Sequence, residues 1–170
     1  MNSKIKVRVL VNVSLLIALQ VVLSRFLSIS TPIVKIGFGF VPLAICGVLY
    51  GPVWAAVAAV LADIIGATLF PAGAFFIGFT ISAALRGAVF GLFLYKRQGN
   101  WVQLSVAVAA NCLGISLLLN TFWLTIIMGS PFIALLPARI LQNVVMIPVQ
   151  FIVLRLLQKP GGMFAKQQVA

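Results

Sequence analysis

From Leu43 the sequence reads LAICGVLY, and from Val53 it reads VWAAVAAVLA, so apolar side chains cover every face of any regular structure these residues adopt. A helix that is apolar all round belongs either in the core of a large protein or in lipid. This chain is too small for the first option. Its 170 residues are 63% hydrophobic and 8% charged. A soluble domain carries roughly a quarter of its residues as charged side chains, and a small one leaves a large share of its surface in water. The solvent is therefore mostly lipid. There every backbone N–H and C=O must be paired internally, which leaves a helix bundle or a closed barrel. The runs lack the period-two alternation of barrel strands. The sequence thus reads as an all-α integral membrane protein.

At roughly 20 apolar residues per crossing, the length allows six transmembrane helices. Apolar runs and Gly/Pro breakers place them at 5–27, 38–49, 52–70, 73–95, 101–128 and 132–158. Residues 1–158 then form a six-helix membrane domain, and 159–170 a cytoplasmic tail. The second helix is short for a full crossing. The opening KIKVR followed by VLVNVSLLIAL has no small-residue cleavage site, so a retained first helix is expected rather than a signal peptide.

The net charge of +11 does not point to nucleic acid. The cations sit at the ends of apolar runs: Lys4, Lys6 and Arg8, then Lys96 and Arg97, then Arg155, Lys159 and Lys166. That is the positive-inside pattern, not a phosphate-binding face. With six spans, these three places share the cytoplasmic side of a plasma membrane, and so do both termini. Cys46 and Cys112 lie in apolar runs without a partner motif and read as small buried residues. With no histidine and one acid in the chain, neither a metal site, a bound cofactor nor an acid–base catalytic pair is expected.

The outer connection SRFLSISTPIVKIGFGFVP breaks the charge pattern, because it holds Arg25 and Lys35. Charged groups at membrane depth cost several kcal/mol by most estimates and should have a partner or a task. Asp63 and Arg86 both fall about 15 Å from the cytoplasmic end of their helices. Either they pair and fix helix packing, or Asp63 contacts a ligand. Arg139 enters the last helix roughly 10 Å from the outer turn. If Asp63 is taken, no protein anion remains for Arg139, Arg25 and Lys35. A ligand would then supply it, unless Arg25 and Lys35 snorkel to lipid phosphates. Asn120, Trp123 and Asn143 share that outer level, with Asn143 one turn after Arg139. Phe75, Phe76 and Phe79 open the fourth helix beneath the outer loop. Together these outline a binding cavity in the outer half, with apolar walls and a few aimed polar groups. It suits a flat aromatic molecule with a negatively charged tail. Ser14 and Ala18 on the first helix form a small-xxx-small pair, which admits a neighbouring helix.

Three stretches carry a resemblance: SRFLSISTPIVKIGFGFVPLAICGVLYGP, LADIIGATLFPAGAFFIGFTISAALRG and LLPARILQNVVMIPVQ. They resemble the substrate-binding S component of energy-coupling-factor (ECF) vitamin transporters, specifically the folate type. The resemblance implies a six-helix fold and no catalysis by this chain. It implies folate captured from outside and delivered by toppling in the bilayer of a bacterial cell. It also implies a shared module of one transmembrane coupling subunit and two cytoplasmic ATPases, with Ser14 and Ala18 facing the coupling subunit. On this reading Arg25, Lys35 and Arg139 hold the carboxylates of folate. Phe76 and Trp123 meet its rings. Asn120, Asn143 and Asp63 meet the donors and acceptors of the pterin. The rival readings are an S component for riboflavin or thiamine, whose ligands lack the two carboxylates, and a stand-alone secondary transporter.

Overall fold

The computed structural model describes residues 3–30, 35–70, 76–95 and 100–157, with side chains assigned to most of them. The predicted turn at Pro71–Gly73, Phe75, Lys96 and Arg97, and the tail lie outside the described residues, as do the side chains of Lys4, Lys6 and Lys35.

The elements are α1 (Ser3–Arg25), a hairpin of β1 (Ser28–Ser30) and β2 (Lys35–Gly37), α2 (Phe40–Tyr50), α3 (Pro52–Leu69) and α4 (Ile77–Leu94). They continue with α5 (Trp101–Ala109), a π-helical segment (Ala110–Leu119), α6 (Asn120–Met128) and α7 (Phe132–Leu157). The helix from Trp101 to Met128 runs on through its π segment. Among the described residues five helices are long and apolar enough to cross a membrane, and α2 is a shorter apolar helix. The surface matches the lipid reading: only 17% of the α1 span is buried inside the bundle, and Leu15, Val53 and Ile133 stand exposed.

Local chemistry explains the breaks. Gly51 has φ 87°, and Pro52 begins α3 immediately after it. Glycine accepts the left-handed region, and proline at a helix start loses an N–H that would be unpaired anyway. Gly129, at φ 64°, closes α6 in the same region. Asn100 caps α5 by accepting from the Val102 N–H at 3.2 Å. Pro137 and Pro148 lie inside α7, where each removes a helical hydrogen bond.

The core centres on α2, α3 and α4. The buried face of α3 is Ala55, Ala58, Ala59, Ala62 and Gly66. It meets Gly87 and Gly91 of α4 so closely that a Cβ at Gly91 would overlap Pro52, and one at Gly87 would overlap the Ala55 carbonyl. A Cβ at Gly47 of α2 would lie 2.9 Å from the Gly91 nitrogen. Small residues let helix backbones approach when no hydrophobic force drives them together in lipid. These contacts also set an antiparallel register in which each step forward on α3 matches a step back on α4.

The outer connection holds a hairpin the sequence did not announce. β1 and β2 pair antiparallel, with Ser28 opposite Gly37 and Ile29 opposite Ile36. A Cβ at Gly37 would overlap the Ser28 side chain. The hairpin lies at the C-terminal end of α1, with Lys35 at the start of β2.

Candidate functional site

The register of α3 against α4 decides the fate of the one acidic residue. It puts Thr80, not Arg86, across from Asp63, and Thr80 Oγ1 donates to Asp63 Oδ2 at 2.8 Å. Among the described residues Asp63 and Arg86 make no ion pair. Arg86 lies six residues deeper along α4, about 9 Å by helical rise, within electrostatic range of Asp63. Equal distance from two helix ends leaves a pairing open as one of two readings, and the offset between the helices disfavours it.

Two residues further along α4, Ser82 accepts from Trp123 Nε1 of α6 at 3.1 Å. The outer half of α4 thus braces a carboxylate on one side and an indole on the other. Phe76, the residue before α4, packs its ring 5.5 Å from that of Trp123 and 6.2 Å from Phe79. Gly78 makes room for this cluster, since a Cβ there would come within 2.6 Å of the Trp123 ring. The result is an aromatic wall with the Trp123 ring held in a fixed orientation.

Arg139 does not reach for headgroups. It is 5% exposed, and its Nη1 donates to Gln142 Oε1 at 2.9 Å. Asn143 Nδ2 donates to the Arg139 carbonyl at 2.8 Å, the one-turn relation expected from the spacing. On α6 and α7, which pack together, four buried polar atoms have no partner among the described residues: Arg139 Nε, Asn143 Oδ1, Asn120 Oδ1 and Thr121 Oγ1. They comprise a charged donor, two amide acceptors and a hydroxyl. Buried polar groups are nearly always satisfied, so this set can hold a ligand carrying both donors and acceptors.

Arg25, at the end of α1, is half-buried and turned inward. Its guanidinium lies over Gly66 of α3, where a Cβ would sit 2.9 Å from Nε. Gly66 is one helical turn above Asp63. From Arg25 the charges thus step inward to Asp63 and Arg86, and Arg86 is within electrostatic range of Arg139. Lys35 contributes its backbone position in β2.

Ser14 and Ala18 lie elsewhere. Both are exposed on α1 and line an outward-facing groove of about 460 Å³ with Ile17, Val21, Leu61 and Ile65. Ser14 Oγ donates to the Leu10 carbonyl at 2.9 Å, so it presents no unpaired hydroxyl to lipid.

The family model described as ECF transporter, substrate-specific component, matches residues 8–157. The chain belongs to this family. As a member it is a substrate-binding transport component of the membrane, not an enzyme. It is 37% identical over 149 residues to the folate transporter FolT of Clostridium novyi (strain NT), covering 88% of this chain and 87% of the relative. To FolT of Leuconostoc mesenteroides it is 34% identical over 153 residues, covering 86% and 82%. The crystal structure of FolT bound with folic acid superposes with a TM-score of 0.82 at 34% identity, covering 86% of this chain and 89% of that one. The S component for biotin shares the fold, with a TM-score of 0.72 at 17% identity over 95% and 96% of the chains.

Thr80, Ser82, Thr121 and Gln142 were not singled out from the sequence. Each is a common residue in an apolar run; Thr80 and Ser82 gain their roles from a neighbouring helix, and Gln142 from Arg139 on its own helix.

Proposed function

We propose that this ECF substrate-specific component binds folate in the outer half of the bundle and delivers it to partners that hydrolyse ATP. The observation that carries the reading is Arg139: a buried guanidinium with an unpartnered Nε, in a chain whose single acid is engaged by Thr80 on another helix. A buried charge left without a counter-charge is costly, and an anionic ligand offsets that cost. The names of the relatives supply the ligand.

In this assignment Arg139, Arg25 and Lys35 hold the two glutamate carboxylates, through the strong charge-assisted class of hydrogen bond. Phe76 and Trp123 pack on the rings. Asn120, Asn143 and Asp63 meet the pterin edge, with Thr80 fixing the carboxylate. The β1–β2 hairpin serves as a lid that carries Lys35 over the outer mouth. The termini face the cytoplasm. The α1 groove at Ser14 and Ala18 receives a helix of a transmembrane coupling subunit, which two cytoplasmic ATPases drive.

The test is equilibrium binding of the purified chain to folate, riboflavin, thiamine and biotin. Folate should bind at least a hundredfold tighter than the others, about 2.7 kcal/mol. Preference for any other vitamin overturns the assignment.

A further inference from the structure

Gln142 is the described residue that touches the guanidinium of Arg139. It follows Arg139 on α7 by three positions, so the two side chains share one face of the helix. Both are enclosed, Gln142 at 6% and Arg139 at 5% exposure. Gln142 Oε1 accepts from Arg139 Nη1 at 2.9 Å. Among the described residues this is the only hydrogen bond that the guanidinium makes. The main chain of Arg139 is tied as well, since its carbonyl accepts from Asn143 Nδ2.

A guanidinium is a planar fork of five N–H groups and stays charged in a protein. A carboxylate can meet the fork through paired bonds on two edges. One edge is Nη1 with Nη2, and the other is Nε with Nη2. The first is encumbered, because Nη1 already donates to Gln142. The second contains Nε, which is buried and has no described partner. A carboxylate on the first edge would leave Nε unpaired, and an unpaired buried donor is costly. A carboxylate on the second edge satisfies Nε and Nη2 together and leaves the bond to Gln142 intact. The side-on edge is therefore the one open to a ligand.

The kind of acceptor matters too. Gln142 is an amide, so it fixes the guanidinium without neutralising it. The single acid of the chain, Asp63, is engaged by Thr80 on another helix. The charge of Arg139 thus stays available to a guest. We propose that Gln142 is a positioning residue. It holds Nη1 so that the Nε–Nη2 edge takes one ligand carboxylate side-on, and its neutrality reserves that charge for the ligand. This rests on the folate assignment above and adds which edge reads the carboxylate and what aims it.

The test titrates folate and its dimethyl ester on the full chain in lipid nanodiscs, with the unfolding midpoint of each ligand-free variant. Gln142→Glu puts a carboxylate beside Arg139. It should weaken folate about tenfold or more and bring acid and ester within about threefold of each other. Its midpoint should not fall, because a buried charge gains a counter-charge. Folate affinity and acid–ester preference both unchanged would overturn the proposal. So would a lower midpoint with acid and ester weakened alike, which marks a packing role. Arg139→Lys keeps the charge but loses the planar fork, and should also cost about tenfold or more. Wild-type affinity in that variant contradicts side-on binding. Equal affinity of the wild type for acid and ester would overturn the folate assignment and this inference together. A wild type that prefers the acid, beside an unaffected Gln142→Glu, overturns the inference alone. Should a variant fail to fold, a crystal structure of the wild type with folate decides. A carboxylate on Nε and Nη2, with Gln142 still on Nη1, is expected; a carboxylate on Nη1, or none at Arg139, overturns the proposal.

Discussion

Where α3 meets α4, the contact is backbone on backbone. Gly87 and Gly91 sit against Ala55 and Pro52 with no room for a methyl group. The π segment and α7, which pack together, bury Asn111, Asn143 and Gln150, each with an amide atom unpartnered among the described residues. The first seam stabilises by close packing of small residues, which is what a lipid solvent permits. The second holds polar groups that packing alone leaves unsatisfied. The candidate ligand site lies where the two meet, because α4 belongs to the rigid seam and reaches Asp63 and Trp123 with Thr80 and Ser82. A close-packed glycine seam thus positions the side chains of the candidate site.

The contrast breaks most directly at the glycines. Gly91→Leu should force α3 and α4 apart and cost about 3 kcal/mol or more by overpacking, read as loss of monodisperse protein in detergent. Gly114→Ala is the control: nothing lies within 4 Å of a Cβ there, and its unfolding midpoint should stay near wild type. On the polar side, Arg139→Ala or Arg25→Ala should weaken folate binding tenfold or more, about 1.4 kcal/mol, without changing the midpoint of the ligand-free chain. Unchanged affinity in folded variants would remove the carboxylate clamp. Trp123→Phe keeps an aromatic face but loses the bond to Ser82, and should cost about 1 kcal/mol of binding, read by titration. The smallest effect on binding belongs to the lipid-facing groove. Ser14→Leu with Ala18→Leu should leave affinity unchanged while abolishing folate uptake by cells carrying the full transporter. Loss of binding would place that face in the ligand site.

The sequence showed the helices because lipid imposes long apolar runs, and Gly51, Pro52 and Gly129 mark their ends through backbone stereochemistry alone. It also showed Arg139 above Asn143, since one turn of one helix relates them. What it hid lies between elements. The distance of a residue from its helix end says nothing of how far two helices slide past each other, so a pairing of Asp63 with Arg86 stayed open beside a ligand contact, and the glycine contacts align Asp63 with Thr80 instead. The strands at Ser28–Ser30 and Lys35–Gly37 are three residues long, too short for a period-two signal. The π segment is as apolar as its α-helical flanks, so nothing in its composition marks it. Of the site, the charged and aromatic residues stood out because lipid makes them costly or bulky. Thr80, Ser82 and Thr121 did not, because a hydroxyl in a helix bonds its own backbone at little cost.

The most direct measurement compares folate with its dimethyl ester, in which both glutamate carboxylates are neutral, on the wild-type chain and on Arg25→Ala/Arg139→Ala. The wild type should favour folate by about a hundredfold, and the double variant by at least tenfold less, because the cations read the ligand's charge. Equal affinity of the wild type for the acid and the ester would contradict the account.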